Sequence, residues 1–269
     1  MFLKVAVSSL LSRKGSAVMT LMAISVAIFV LLGIEQIRQQ ARDSFASTVS
    51  GVDLIVGAKT GSLNLLLYSV FRIGSPTDNI SWQAYRDIAD SDDVAWAIPI
   101  SLGDSHEGYR VVGTTQAFFE HFSFGKKRSL AFFEGEAFEG TFDAVLGSEV
   151  ASALGYSVGT EIILAHGLAS TSFTKHDNQP FVVVGVLAPT GTPVDQTIHV
   201  RLEGIEAMHA GGSTVPIGAF APANAPDTDF SEPESITAFM LGLKSRMSTF
   251  NVQRQINQFA GEPLMAILP

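Results

Sequence analysis

The chain reads as an α+β protein: one N-terminal transmembrane helix that continues into a stalk, then a mixed α/β domain. Three observations predict this. An uncharged run of twenty residues lies near the N-terminus, an apolar stripe at helical spacing follows it, and short strand-like and helix-like stretches alternate from Val52 onward.

The uncharged run is Gly15 to Ile34, GSAVMTLMAISVAIFVLLGI. At about 1.5 Å per residue it spans roughly 30 Å, the thickness of a bilayer's hydrocarbon core. Lys4, Arg13 and Lys14 precede it with no acid among residues 1–34, which favours a cytoplasmic N-terminus. A cleaved signal peptide has a shorter apolar region and a small-x-small cleavage site soon after it. Here Glu35-Gln36-Ile37-Arg38 follows, so the expectation is an uncleaved anchor. Beyond residue 34 the chain holds 14 Lys/Arg against 26 Asp/Glu, a net of −12. With the anchor uncleaved and its N-terminus in the cytoplasm, this body lies outside the cytoplasm, and its acidity repels a nucleic-acid backbone, so nucleic acid is not an expected partner. The composition, 46% apolar and 16% charged with a mean hydropathy of +0.29, excludes disorder. There is no cysteine, hence no disulfide framework and no thiolate metal site.

The helix is expected to continue past the membrane. Ile34, Ile37, Ala41, Phe45 and Val49 fall within about 120° of arc at 100° per residue, with Arg38 inside the arc. Residues 35–50 are therefore a stalk, stopped at Gly51. Val52 to Val56 is the first strand, and Gly57 to Gly61 its exit turn.

That turn resembles a phosphate-binding loop in outline, strand then Gly-Ala-Lys-Thr-Gly, but the spacing is wrong. A P-loop is G-x-x-x-x-G-K-[ST], so that successive amides curl round the phosphates and the lysine reaches them. Ala58 separates Gly57 from Lys59, and Gly51 lies six residues before Gly57. No acidic metal-binding strand is assignable downstream. The turn ends a strand and binds no nucleotide.

Further along, Ser81 is placed to cap a helix from Trp82 to Ala89. Val94 to Leu102 and Tyr109 to Gly113 read as strands. Eight phenylalanines between Phe118 and Phe142 are expected to fill the core of a loop-rich lobe. Ala144 to Gly147 ends a strand, and Ser148 is expected to cap a helix from Glu149 to Leu154, closed by Gly155. Thr160 to Ala165, Phe181 to Leu187 and Thr197 to Leu202 are strands, and a short helix runs from Glu203 to His209. Four prolines and four acids between Gly211 and Ser235 mark a long exposed loop. Ile236 to Leu243, a helix from Ser248 or Asn251 to Phe259, and Leu264 to Leu268 complete the chain. The last strand is expected to return beside Val52 to Val56, since both are short and apolar as neighbouring buried strands are.

Catalytic chemistry is not apparent. The histidines at 106, 121, 166, 176, 199 and 209 show no i,i+3 or i,i+4 pairing and no H-E-x-x-H. No G-x-S-x-G occurs, and Ser148 before Glu149 reads as a helix cap. Glu134, Glu136 and Glu139 read as an acidic surface loop, not a glycosidase pair. Catalytic, cofactor-binding and metal-binding residues are all assigned as none, no cofactor is expected, and the protein is read as a non-enzyme. Pro189 and Pro193 frame Thr190-Gly191-Thr192 as a stiff turn whose amides Asp195 can accept. Gly185 allows close packing in a buried strand.

Two passages, AVLGSEVASALGYSVGTEIIL at 144–164 and FVVVGVLAPTGTPVDQTIHVRLEGIEAM at 181–208, carry a family signal. With the N-terminal LKVAVSSLLSRKGSAVMTLMAISVAIFVLLGI, they resemble permease subunits of MacB-type, FtsX-like bacterial ABC transporters. The resemblance implies three parts: a cytoplasmic N-terminus and membrane helix over 1–34, the stalk over 35–50, and a MacB-like periplasmic core over 51–269. Within the core a second lobe is expected over about 106–194. It implies a location in the bacterial inner membrane with the bulk of the chain in the periplasm. It also implies a non-catalytic subunit that couples ATP hydrolysis by a cytoplasmic ABC ATPase to periplasmic movement, for export or extraction of a substrate. Its partners would be that ATPase, a second permease subunit, membrane lipid, and a periplasmic adaptor or substrate protein. The three later membrane helices of the family are absent, so the expectation is a fragment or a truncated product. The alternative is a single-pass, membrane-anchored periplasmic sensor or adaptor domain.

Overall fold

A computed structural model describes residues 12–166, 180–211 and 232–269. The chain divides after Ala46 into two compact units. The first is helical. Helix α1 runs from Lys14 to Thr48. Its segment Lys14–Gln39 is, among the described residues, the one helix long and apolar enough to cross a membrane, and none of its most apolar stretch is buried. The expected stalk is the continuation of this helix. It stops at Thr48, three residues before Gly51, whose φ of +85° is the left-handed conformation that glycine adopts without a Cβ penalty.

The second unit is built on one mixed sheet. Strand β1 (Leu54–Ala58) is followed by α2 (Ser62–Ser69), β2 (Ile80–Ser81), α3 (Trp82–Ala89), β3 (Val94–His106) and β4 (Tyr109–Thr114). Next come α4 (Ala117–His121), the short pair β5 (Ser123–Phe124) and β6 (Arg128–Ser129), β7 (Phe132–Gly135), β8 (Asp143–Leu146) and α5 (Ser148–Leu154). The chain continues through β9 (Glu161–Ile162), β10 (Ala165–His166), β11 (Phe181–Leu187), β12 (Thr197–Arg201) and α6 (Leu202–Gly211). It ends with β13 (Ser235–Ile236), β14 (Ala238–Leu243), α7 (Thr249–Asn257) and β15 (Leu264–Ile267).

The main sheet has the order β15-β1-β14-β3-β4-β12-β8-β11-β7. Strand β3 is the joint. Its first part, Val94 to Ile100, pairs with β14, and its second part, Ser101 to His106, pairs with β4. Pairing is antiparallel except where β12 joins β4 and β11 joins β8. One apolar cluster, with Leu54, Val56, Tyr85, Ile88, Phe239, Val252 and Ile256, lies under α3 and α7. A second gathers Ile55, Tyr68, Ile98, Phe118, Phe119, Phe138 and Met240. Burying a residue such as Ile55 or Phe239 contributes about 1.5–3 kcal/mol, and the sum over these clusters offsets chain entropy.

Several sequence expectations shift. The first strand starts at Leu54, not Val52, because Asp53 turns its carboxylate back to cap the neighbouring strand: Leu243 N donates to Asp53 Oδ2 at 2.8 Å. A helix, α2, follows the Gly57–Gly61 turn where none was expected. Gly57 makes its packing possible, since a Cβ there would meet Leu65 Cδ1 at 2.6 Å and the Tyr68 hydroxyl at 2.9 Å. Ser148 is the first residue of α5, not its cap. The cap position is Gly147, with no side-chain bond, and a Cβ there would strike the Val194 carbonyl at 2.2 Å. Gly155 closes α5 at φ +69° as expected. Thr160 to Ala165 is two short strands, β9 and β10, on different partners. Phenylalanines 118, 119, 122, 124 and 138 fill the core, but Phe133 is 79% exposed. Most of the proline-rich stretch, 212–231, lies outside the described residues.

Among the buried polar groups one histidine stands out. His199, in the middle of β12, is fully buried and stacks on Phe118 at a centroid distance of 4.7 Å. Burial, and then the charge of Arg72, push its pKa down to about 3. Arg72 is itself buried at φ +59°, and its guanidinium donates to the Ser69 carbonyl. Above pH 6.5 His199 is neutral whether the chain is folded or not. Between pH 6.5 and about 3 the unfolded chain takes a proton that the folded one refuses, so acid lowers stability. Going from pH 7 to 4.5 should therefore cost roughly 2–3 kcal/mol through this residue alone. Denaturant midpoints of the wild type and of His199→Leu, measured at both pH values, check this. The variant should lose less stability on acidification, and equal losses would contradict the assignment.

Candidate functional site

The second unit is tightly constrained at the strand that follows α1. Strand β1 is buried at all five positions and lies between β14 and the last strand, β15. Leu54 faces Leu241 and Gly57 faces Ala238 on one side. On the other, Ile55 faces Ile267 and Ala58 faces Leu264, antiparallel. The first and last strands are therefore neighbours, as their apolar sequences imply. The register sets Met265 opposite Gly57.

Polar groups lock this strand at both sides. Asp53 N donates to the Leu241 carbonyl at 2.8 Å, while its carboxylate accepts Leu243 N and lies 4.0 Å from the Arg246 guanidinium. Just before it, Ser50 N donates to the Ser123 carbonyl at 2.8 Å, and the Ser123 hydroxyl donates back to the Ser50 carbonyl. The far edge of β15 is covered by two side chains one turn apart on α7. Asn257 Oδ1 accepts the Ala266 amide at 2.8 Å, and Gln253 Nε2 donates to the Ala266 carbonyl at 2.9 Å. Since Ala266 turns both backbone groups outward, it and Val56 form the non-hydrogen-bonded kind of antiparallel pair, with Cα atoms about 4.5 Å apart. Sequence reasoning placed the two strands together but missed Asp53, Gln253 and Asn257. An acid directly before an apolar strand was the available signal.

The other residues weighed from the sequence are scattered. Lys59 is exposed, and its amide is spent on the Pro263 carbonyl at 2.9 Å. It borders a depression of about 250 Å³ with Thr60, Asp78, Asn79 and Glu262, whose carboxylates oppose an anion. Ser148 borders a shallow cavity of about 330 Å³ with Phe133, Tyr156 and Val186, and no histidine lines it. Glu134, Glu136 and Glu139 are all exposed. His106 contacts the Ile163 carbonyl at 2.7 Å and the Tyr156 hydroxyl at 3.0 Å, and His121 stacks on Trp96 at 5.2 Å. His176 lies outside the described residues. Among the described residues no three His, Asp or Glu side chains are grouped as metal ligands would be. The turn at 189–193 is architecture: Asp195 accepts the amides of Thr190 at 2.9 Å and Gly191 at 2.7 Å, with Gly191 at φ +71°. Gly185 sits against the Glu136 carbonyl, 2.3 Å from where a Cβ would be.

Among solved structures, the periplasmic region of MacB from Actinobacillus actinomycetemcomitans is similar at 9% identity and a TM-score of 0.49, over 81% of this chain and 90% of that one. The extracellular domain of the noncanonic ABC-type transporter YknZ from Gram-positive bacteria is similar at 11% identity and a TM-score of 0.47, over 80% of this chain and 98% of that one. A search of curated proteins returns no match. The family model for the MacB-like periplasmic core domain matches residues 17–259, nearly the whole chain, and the protein belongs to that family.

Proposed function

We propose that this chain is the membrane-anchored part of an ABC transporter permease subunit, which does no chemistry itself and passes motion from a cytoplasmic ATPase partner to a periplasmic domain. In this reading residues 1–34 anchor the chain in the inner membrane, 35–50 form the lever, and 51–269 form the moving body. Its second lobe, about 106–194, begins near the point where β3 leaves β14 for β4. A second permease subunit and a periplasmic adaptor or substrate protein complete the assembly. The observation that carries the reading is the burial of β1. The strand that receives the chain from α1 is held on both sides, by β14 and by the terminal strand. A tilt applied there moves the sheet as a rigid body rather than fraying one edge.

A double cysteine variant tests the mechanical part. Val56→Cys with Ala266→Cys should form a disulfide, because the pair lies within the roughly 7 Å Cα limit and the chain has no other cysteine. In the assembled transporter the crosslink should leave ATP-driven substrate movement intact. A Gly-Gly-Ser insertion between Ser50 and Gly51 should abolish movement while ATP hydrolysis continues. Full transport with the insertion would overturn the coupling reading.

Nucleotide belongs to the partner. The purified chain should show no specific ATP binding at micromolar levels, and Lys59→Ala should change nothing. Saturable binding lost in that variant would contradict the assignment. Topology is checked with Gln83→Cys, exposed on α3. It should react with a membrane-impermeant thiol reagent in intact spheroplasts, and labelling that requires lysis would place the domain on the cytoplasmic side.

A further inference from the structure

Two exposed features flank the end of the sheet at which the chain arrives. One is the hairpin of β5 and β6. Its tip carries three consecutive exposed cations, Lys126, Lys127 and Arg128. In a body with a net charge of −12 beyond residue 34, this reverses the local sign. Its stem is fixed, with Ser123 bonded to Ser50, Phe124 buried, and the Arg128 guanidinium 4.5 Å over the Phe124 ring.

The other feature is the turn from β14 into α7, on the opposite face of the sheet. Met247 is 94% exposed and Phe250, three residues on, is 73% exposed. Lys244 and Arg246 stand beside them, both exposed. Of the acids at this end Asp53 is largely buried, while Asp90 and Asp92 are exposed. Asp53 holds Leu243 N and lies near Arg246, and Asp90 pairs with Arg86 at 3.3 Å. Lys244 donates to the Asp92 carbonyl at 2.8 Å and its amide to the Asp93 carbonyl at 3.0 Å.

We propose that this end of the domain is a lipid-facing surface that recognises the anionic headgroups of the bilayer. The β5–β6 hairpin is its cationic foot, and Met247 and Phe250 are apolar contacts at headgroup depth. Interfacial binding of this kind combines buried apolar area with attraction between basic side chains and anionic lipid. Chain connectivity supports it: α1 ends at Thr48, and two residues later Ser50 is bonded to Ser123 at the base of the hairpin. The proposal rests on reading α1 as a membrane anchor.

The test uses the full chain in lipid nanodiscs, labelled with a bimane at single cysteines and quenched by headgroup spin-labelled lipid. The sites are Ser129→Cys on the hairpin, Met247→Cys on the turn, and Lys59→Cys at the opposite end of β1 as control. In phosphatidylcholine discs containing phosphatidylglycerol, positions 129 and 247 should be quenched and position 59 should not. Quenching at 129 should fall by roughly half or more when salt rises from about 0.05 to about 0.5 M. It should fall likewise when Lys126, Lys127 and Arg128 are all changed to Glu. Chain that fails to enter the discs would sink the anchor reading. Chain that enters but shows all three positions equally unquenched would sink this proposal alone. Equal quenching in phosphatidylcholine discs, untouched by salt or by the Glu variants, would overturn the recognition of anionic lipid. Shielding of position 247 only in discs that hold two copies would overturn it in favour of a contact between copies.

Discussion

The pairing of β1 between β14 and β15 is the constraint on which the rest of the domain depends. An apolar strand with neighbours on both sides cannot be displaced without exposing Leu54, Ile55 and Val56 together. Breaking it would also open two ladders of backbone hydrogen bonds and leave their groups unsatisfied. The polar groups around it serve the same end. Asp53 fixes where the strand begins, and Ser50 with Ser123 fixes the approach. Asn257 and Gln253 close the edge of β15 against a foreign strand. The opposite edge is blunted differently. Strand β7 has four residues, an irregular register in which Phe133 has no partner, a charged Glu134, and Gly135 at φ +69°.

In this chain several residues that stand out in the sequence serve the packing of the fold. The glycines at 57, 147 and 185 admit a neighbouring backbone or helix where any Cβ would collide. Asp195 organises a turn that holds the junction between β11 and β12. These residues resemble functional motifs in one dimension, which is why the Gly57–Gly61 turn looks like a phosphate loop. In three dimensions the Lys59 amide closes onto Pro263, and the following helix packs on the glycine instead of cradling an anion.

Much of this was legible in the sequence where one physical signal dominates. The uncharged run of residues 15–34, the β-branched strand at 181–187 and the Ser81 cap all came out at or near their observed places, because hydropathy, β-propensity and capping act locally. Ser148 and the Val52 start were misplaced, because tertiary partners decided them: the Val194 carbonyl over Gly147, and the Leu243 amide over Asp53. Helix α2 went unseen because it is only eight residues long and its apolar residues, Leu63, Leu65 to Leu67 and Tyr68, fall all round it and leave no clear polar face. The edge cap by Gln253 and Asn257 could not be read at all. It needs the register of β15 and the rotation of α7, and neither is encoded in any short stretch.

Hydrogen exchange at individual amides of the full chain measures the central claim most directly. If β1 and β15 form one mechanical unit, the amides of Ile55 and Ile267 exchange only through global unfolding, with the same free energy and the same denaturant dependence. Exchange of Ile267 by local opening, at a markedly lower free energy than Ile55 and independent of denaturant, would show that the last strand frays from the first, and would contradict the account.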